Sequence, residues 1–228
     1  MKSLCKTLRS NFLLWVTIPA LWQSASAATV FSETFEAGTN AFGLPTYGYS
    51  ENYTLANTLT PSSGSRYAHG GNPAGANGIT FAVSFSAPEL SLAGLGYSNA
   101  SIDSGTLTLS LAGQFSTYQS QNDFAVVSVQ FLDGVGANLG TAVEIGGSGL
   151  VSGLAGGTGS RGWANASQDA AVPTGARSMV ISVSENKTPQ GAYIDGYVDN
   201  VTVAIIPEPS SLLLGFATAL PLFMRRRR

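Results

Sequence analysis

Along much of the chain apolar and polar residues alternate one by one. Leu107, Leu109 and Leu111 interleave with Thr106, Thr108 and Ser110, and Val127, Val129 and Phe131 with Ser128 and Gln130. Met179, Ile181 and Val183 run beside Ser182 and Ser184, and Val201, Val203 and Ile205 repeat the pattern. Side chains two apart on an extended backbone share a face, so each run predicts a strand buried on one side. Val30 to Phe35 and Ile79 to Phe85 predict further strands. No segment sustains the 3.6-residue period of a capped helix. Turn signals fall at Asp133-Gly134, Asn138-Leu139-Gly140, Pro173-Thr174-Gly175 and Asp195-Gly196. The fold expected is all-β, an antiparallel jelly-roll-like β-sandwich. Tyr47 to Gly78 and the glycine-rich stretch Gly146 to Gly162 read as long loops, and no internal repeat is present.

Both ends break this pattern. Lys2, Lys6 and Arg9 precede an apolar core from Phe12 to Trp22, and Ala25-Ser26-Ala27 supplies the small residues of a signal-peptidase site. Residues 1–27 therefore read as a secretory signal peptide, cut after Ala27. At the other end Pro207-Glu208-Pro209 is followed by an uncharged run, Ser211 to Met224, and then Arg225, Arg226, Arg227 and Arg228. The prolines fix φ and remove donors, so the tripeptide should stand as a stiff exposed spacer. The apolar run of about 14 residues would rise roughly 21 Å as a helix, short of the roughly 30 Å of bilayer hydrocarbon. Arginine stems reaching up to the phosphates close part of that gap. Arginine-rich flanks stay cytoplasmic, which places everything before Pro207 outside. The expected organisation is 1–27 signal peptide, 28–206 mature domain and 207–228 membrane-held tail.

Removing the ends changes the picture of charge. Of the 11 Lys and Arg residues only Arg66, Arg161, Arg177 and Lys187 lie in the mature domain. An acidic domain argues against nucleic acid, whose binding rests on phosphate neutralisation. Cys5 is the single cysteine and precedes the apolar core, too early for a lipoprotein's acylated cysteine. The mature domain can form no disulfide, although export would permit one; packing or a bound ion must stabilise it. His69 is the single histidine, which with no cysteine excludes the ordinary zinc ligand sets. No Gly-x-Ser-x-Gly elbow accompanies it, and it reads as a loop residue. The glycine run lacks Gly-Lys-Ser/Thr, so no phosphate loop is present.

The tail as a whole, Pro207-Glu208-Pro209, Ser210-Ser211, a Leu/Gly/Ala-rich span and terminal arginines, resembles the PEP-CTERM sorting signal of Gram-negative bacteria. The resemblance implies export, an inner-membrane-anchored precursor with a periplasmic domain, and cleavage near Pro-Glu-Pro by an exosortase. It also implies a final place at the cell surface or in the extracellular matrix, among exopolysaccharide and biofilm. Glu33-Thr34-Phe35-Glu36-Ala37-Gly38 and Gly196-Tyr197-Val198-Asp199-Asn200-Val201 resemble the first and last strands of galactose-binding-like jelly rolls, the fold of many carbohydrate-binding modules. That likeness implies side-by-side terminal strands and a structural calcium at Glu36 (or Glu33) and Asp199, completed by carbonyls. Read as residues alone, Glu36 caps a turn and Asp199 accepts neighbouring amides.

Aromatic residues near the expected loops are the remaining functional signal. Tyr47, Tyr49, Trp163 and Tyr193 stand near amide and carboxylate side chains, the combination that stacks on sugar rings and binds their hydroxyls. Aromatic belts also simply close the ends of sandwiches. The expected function is a non-catalytic exported protein whose partners are signal peptidase, exosortase, the inner membrane and exopolysaccharide. A specific glycan-binding module is the first alternative, and a polysaccharide hydrolase with an unrecognised carboxylate pair the second.

Overall fold

The computed structural model describes residues 27–37, 39–48, 59–71, 77–119, 121–154 and 161–208. The signal-peptide expectation apart from Ala27, the tail from Pro209 to Arg228 and Tyr49 lie outside the described residues. The elements are β1 (Ala28–Glu33), β2 (Thr46–Gly48), β3 (Arg66–Gly71), β4 (Phe81–Ser86), β5 (Leu90–Ser91), α1 (Asn99–Asp103), β6 (Leu107–Thr117), β7 (Phe124–Leu132), β8 (Asn138–Gly146), α2 (Ser148–Ser152), β9 (Ala164–Ala171), β10 (Ser178–Lys187) and β11 (Ile194–Pro207).

These strands form two antiparallel sheets. The first runs β2-β3-β11-β6-β9 with β1 beside β11, and the second β4-β10-β7-β8 with β5 beside β10. The alternation read from sequence decides which side faces in. Leu107, Leu109, Leu111 and Phe115 of β6 and Val201, Val203 and Ile205 of β11 meet Val127, Val129, Ile181 and Val183 in one core. Burying each such side chain stabilises the fold by about 1.5–3 kcal/mol relative to exposure. The first and last strands do lie side by side, with Thr29 opposite Ala204 and Glu33 opposite Val201.

Four expectations are corrected. β3 and the segment from Leu59 lie inside the stretch read as a long loop, because Tyr67, Ala68 and His69 are buried against β11. Asp195-Gly196 is no turn but part of β11; Gly196 is small because a Cβ there would lie 2.6 Å from both a Glu185 carboxylate oxygen and the Phe124 carbonyl carbon. Asn138-Leu139-Gly140 opens β8, and the chain reverses over residues 133–137 instead. Finally, Pro-Glu-Pro begins inside the sheet. Pro207 pairs with Leu107, and the Glu208 amide donates to the Thr106 carbonyl at 2.7 Å. Proline is tolerated at such a strand end, where no further ladder donor is required.

Candidate functional site

β6 turns its alternate residues Ser110, Ala112 and Gln114 to the outer face of its sheet, between the inward leucines. β9 pairs with it so that Asn165 lies opposite Gln114, Ser167 opposite Ala112 and Asp169 opposite Ser110. On the other side β11 carries a register shift between Asp199 and Thr202. Asn200 sits in that bulge with φ 51°, a left-handed conformation that asparagine tolerates better than most residues. The bulge brings Asn200 to the same outer face.

There the amides join. Ser63 Oγ donates to Asn200 Oδ1 at 2.9 Å, Asn200 Nδ2 to Gln114 Oε1 at 2.5 Å, and Gln114 Nε2 to Asn165 Oδ1 at 2.9 Å. The result is an amide ladder across three elements. It lines an open trough of about 500 Å³ whose floor is Ala112, Gly113, Ala166 and Ser167. Ser62 and Ser63 form one wall.

The wall belongs to residues 59–66, and the side chains of Trp163, Asp199 and Glu36 lace it down. Trp163 Nε1 donates to the Thr60 carbonyl at 2.8 Å. Asp199 Oδ2 accepts the Ser62 and Ser63 amides at 3.0 and 3.3 Å, while its Oδ1 accepts the Asn200 amide at 2.8 Å. Glu36 takes the Ser65 amide on both oxygens at 3.0 and 2.9 Å, the Ser65 hydroxyl at 2.8 Å and the Arg66 amide at 3.1 Å. Gly64 has φ +63°, and a Cβ there would collide with the Glu36 carboxylate. Burial pulls Glu36 upward, but hydrogen bonds from Ser65 and Arg66 outweigh it and hold the carboxyl below its ordinary value. Asp199 is pushed up to about 6 by burial and the Glu36 charge, against the pull of its amide donors.

This geometry does not fit the calcium implied by the jelly-roll resemblance. Each carboxylate faces the positive ends of N–H dipoles, and a cation would have to displace them to reach oxygen ligands. Among the described residues no group of three or more His, Cys, Asp and Glu side chains is arranged to hold a metal. Glu33, the other residue considered, likewise accepts the Phe35 and Ala41 amides at 2.8 and 2.7 Å.

The aromatic candidates divide. Trp163 packs edge-on against Tyr67 with centroids 5.5 Å apart, and Tyr67 lies 5.0 Å from Tyr197. With Leu59 and Tyr118 they form a second small core. Trp163 therefore shapes the wall rather than standing free. Tyr47 lies opposite Tyr67 in the β2–β3 register, and Tyr193 is half-buried just before β11. His69 is strand-borne and 4% exposed, with Nδ1 accepting the Gly71 amide at 2.9 Å; burial pushes it down to about 3, so it is neutral.

Sequence reading missed a buried acidic cluster. Asp123, Glu185, Lys187 and Asp195 are 0–3% exposed at the end of the sandwich. Asp123 accepts the Thr188 amide and hydroxyl, each at 2.6 Å, and the Asp195 amide at 3.0 Å. Tyr197 donates its hydroxyl to Asp195 at 3.0 Å, and Lys187 Nζ donates to the Thr188 and Gln190 carbonyls at 2.8 and 2.7 Å. Neither Glu185 oxygen has a hydrogen-bond partner among the described residues. Burial first, and the Asp123 and Asp195 charges second, raise Glu185 well above its ordinary value. Burial also pushes Asp195 up to about 6. No polymer substrate reaches carboxylates this deep. Their only sequence signal is Glu185 and Lys187 standing where the β10 alternation calls for apolar residues.

No known family profile matches the chain, and no curated protein matches its sequence significantly. Solved structures with a related outline include the xylan-binding domain CBM22-1 of Paenibacillus barcinonensis Xyn10C, at 12% identity and TM-score 0.43. The match covers 82% of this chain and 99% of that one. The C-terminal family 22 carbohydrate-binding module of Clostridium thermocellum Xyn10B matches at 14% identity and TM-score 0.40, over 78% and 94% of the two chains. TmCBM61, solved with β-1,4-galactotriose, matches at 16% and 0.38, over 77% and 94%. Likenesses this distant carry no argument about lineage or ligand, and the functional reading rests on the trough.

Proposed function

We propose that the chain is a non-catalytic glycan-binding module of the cell exterior, and that a polysaccharide lies in the trough between β6, β9 and the 59–66 wall. The amide ladder carries this reading. A sugar hydroxyl is both donor and acceptor, and each ladder amide has unused capacity of both kinds after its ladder bonds. The open, small-residue floor suits a chain that enters from one side and leaves by the other. Affinity electrophoresis of the full chain through gels containing a panel of polysaccharides tests it. At least one should retard the protein, and Gln114→Ala should remove most of the retardation; no retardation by any would overturn the reading.

The ends of the chain supply its place of work in this proposal. The signal peptide 1–27 takes the chain to the periplasm, the tail holds it in the inner membrane, and exosortase cuts near Pro207-Glu208-Pro209. The released domain then stays with exopolysaccharide at the surface or in the matrix. Mass spectrometry of both termini from cells with and without exosortase tests this. An intact Arg225 to Arg228 end in exosortase-bearing cells would defeat it.

A further inference from the structure

Resting on the glycan reading, we infer that the trough selects uncharged or N-acylated polysaccharide and rejects chains rich in uronate, sulfate or phosphate. Two independent observations carry this. The first is the distribution of charge. Three of the four cations of the mature domain, Arg161, Arg177 and Lys187, are engaged away from the trough, and the fourth, Arg66, ends the wall beside a carboxylate. Arg177 makes a paired contact with Asp103 at 3.0 Å through each nitrogen. Arg161 is buried and donates to the Val151 carbonyl at 3.3 Å, and Lys187 is buried on two carbonyls. Arg66 lies near the Glu36 carboxylate. Around the trough stand Asp199 behind the Ser62–Ser63 wall, Glu36 behind the next turn and exposed Asp169 on β9. The local field is negative, and clefts of one sign repel ligands of that sign.

The second observation is the direction of the ladder. Ser63, Asn200, Gln114 and Asn165 donate in one sense, each to the next, which leaves the Asn165 amide nitrogen as the open donor end. Chained amides polarise one another and present N–H and C=O groups alternately. A hydroxyl or acetamido group answers both. A carboxylate or sulfate accepts only, so half of the trough's edge would stay unpaired and lose its water without replacement.

Matched polymer pairs separate charge from backbone. Suitable pairs are hydroxyethyl- and carboxymethyl-cellulose, methyl-esterified and de-esterified homogalacturonan, and carboxyl-reduced and native glucuronoxylan. Affinity electrophoresis and calorimetry with the full chain should show a neutral member binding at least about tenfold more tightly than its acidic partner. Raising the salt concentration should narrow the gap by screening. Asn165→Lys, an exposed substitution, should raise affinity for the acidic member. Equal or tighter binding of the acidic member of a pair overturns this inference and leaves the glycan reading standing. Binding to none of these polymers and to no member of the wider panel, N-acylated glycans included, overturns both.

Discussion

Two sets of carboxylates flank the same sheet and illustrate opposite uses of an acidic side chain. On the outer side Glu36 and Asp199 collect the backbone amides of residues 62–66 and turn a polar loop into a fixed wall. On the inner side Glu185 is fully buried with neither oxygen partnered among the described residues, between sheets kept clear by Gly70 and Gly196. The first set uses charge to organise polar backbone, which is how buried amides are satisfied without a regular ladder. The second places a group where burial and two neighbouring carboxylates disfavour its charge and raise its pKa. Hydrogen-bonded carboxylates, one exposed and one buried, thus build the site, and the unpartnered buried one adds to how the fold responds to pH.

The largest effect should come from the inner cluster. Asp123 satisfies the Thr188 amide and hydroxyl and the Asp195 amide at once. Asp123→Ala strands all three donors beside Lys187 and should cost about 3–5 kcal/mol, read as a lowered urea midpoint. A loss below 1 kcal/mol would show that water takes over the three donors.

On the outer side Gly64→Ala should come next. Its φ of +63° and the adjoining Glu36 carboxylate leave no room for a methyl group. The cost should be about 1–3 kcal/mol, with glycan binding falling further than stability because the wall moves. Binding retained at wild-type strength would separate the wall from the site.

The two sides also differ in pH dependence. Glu185 has a folded pKa raised above the 4.5 of the free group. The stability it confers is therefore fully present below about 4.5 and is lost as pH rises through the folded value. Glu185→Gln keeps the volume without the titration, so the share of the fall in melting temperature that Glu185 contributes as pH rises should disappear. Asp195 and Asp199, pushed up to about 6 from 3.8, add loss of the same sign as pH rises through about 6, and this should persist in the variant. An unchanged dependence on pH would show that the fold does not raise the Glu185 pKa.

The sandwich was legible because β6, β7, β10 and the second half of β11 carry period-two alternation. The site was legible only in part. Glu36, Asp199 and Trp163 stand out by type, but the 59–66 segment they hold carries no periodicity, since side chains fix it one amide at a time. Gln114, Asn165 and Asn200 are ordinary amides whose meeting depends on strand register and one bulge, which alternation does not specify. β3 was hidden because Tyr67, Ala68 and His69 are buried in succession, so both faces of the strand are covered and no alternation shows.

Trp163 tests whether the wall is held by one tie or several, and should give the smallest effect. The indole both donates to Thr60 and packs on Tyr67. Trp163→Phe keeps most of the ring contact and removes the donor, leaving one half-exposed carbonyl free to take water. The expected loss is about 0.5–1.5 kcal/mol in stability. Affinity should fall only a few-fold, because Asp199 and Glu36 still hold residues 62–66. Trp163→Ala in addition opens the small core around Tyr67, Tyr197 and Leu59 and should cost more in stability than in binding. If Trp163→Phe abolished binding while stability stayed near wild type, the indole would be a ligand contact. The aromatic platform expected from the sequence would then replace the amide ladder as the centre of the site.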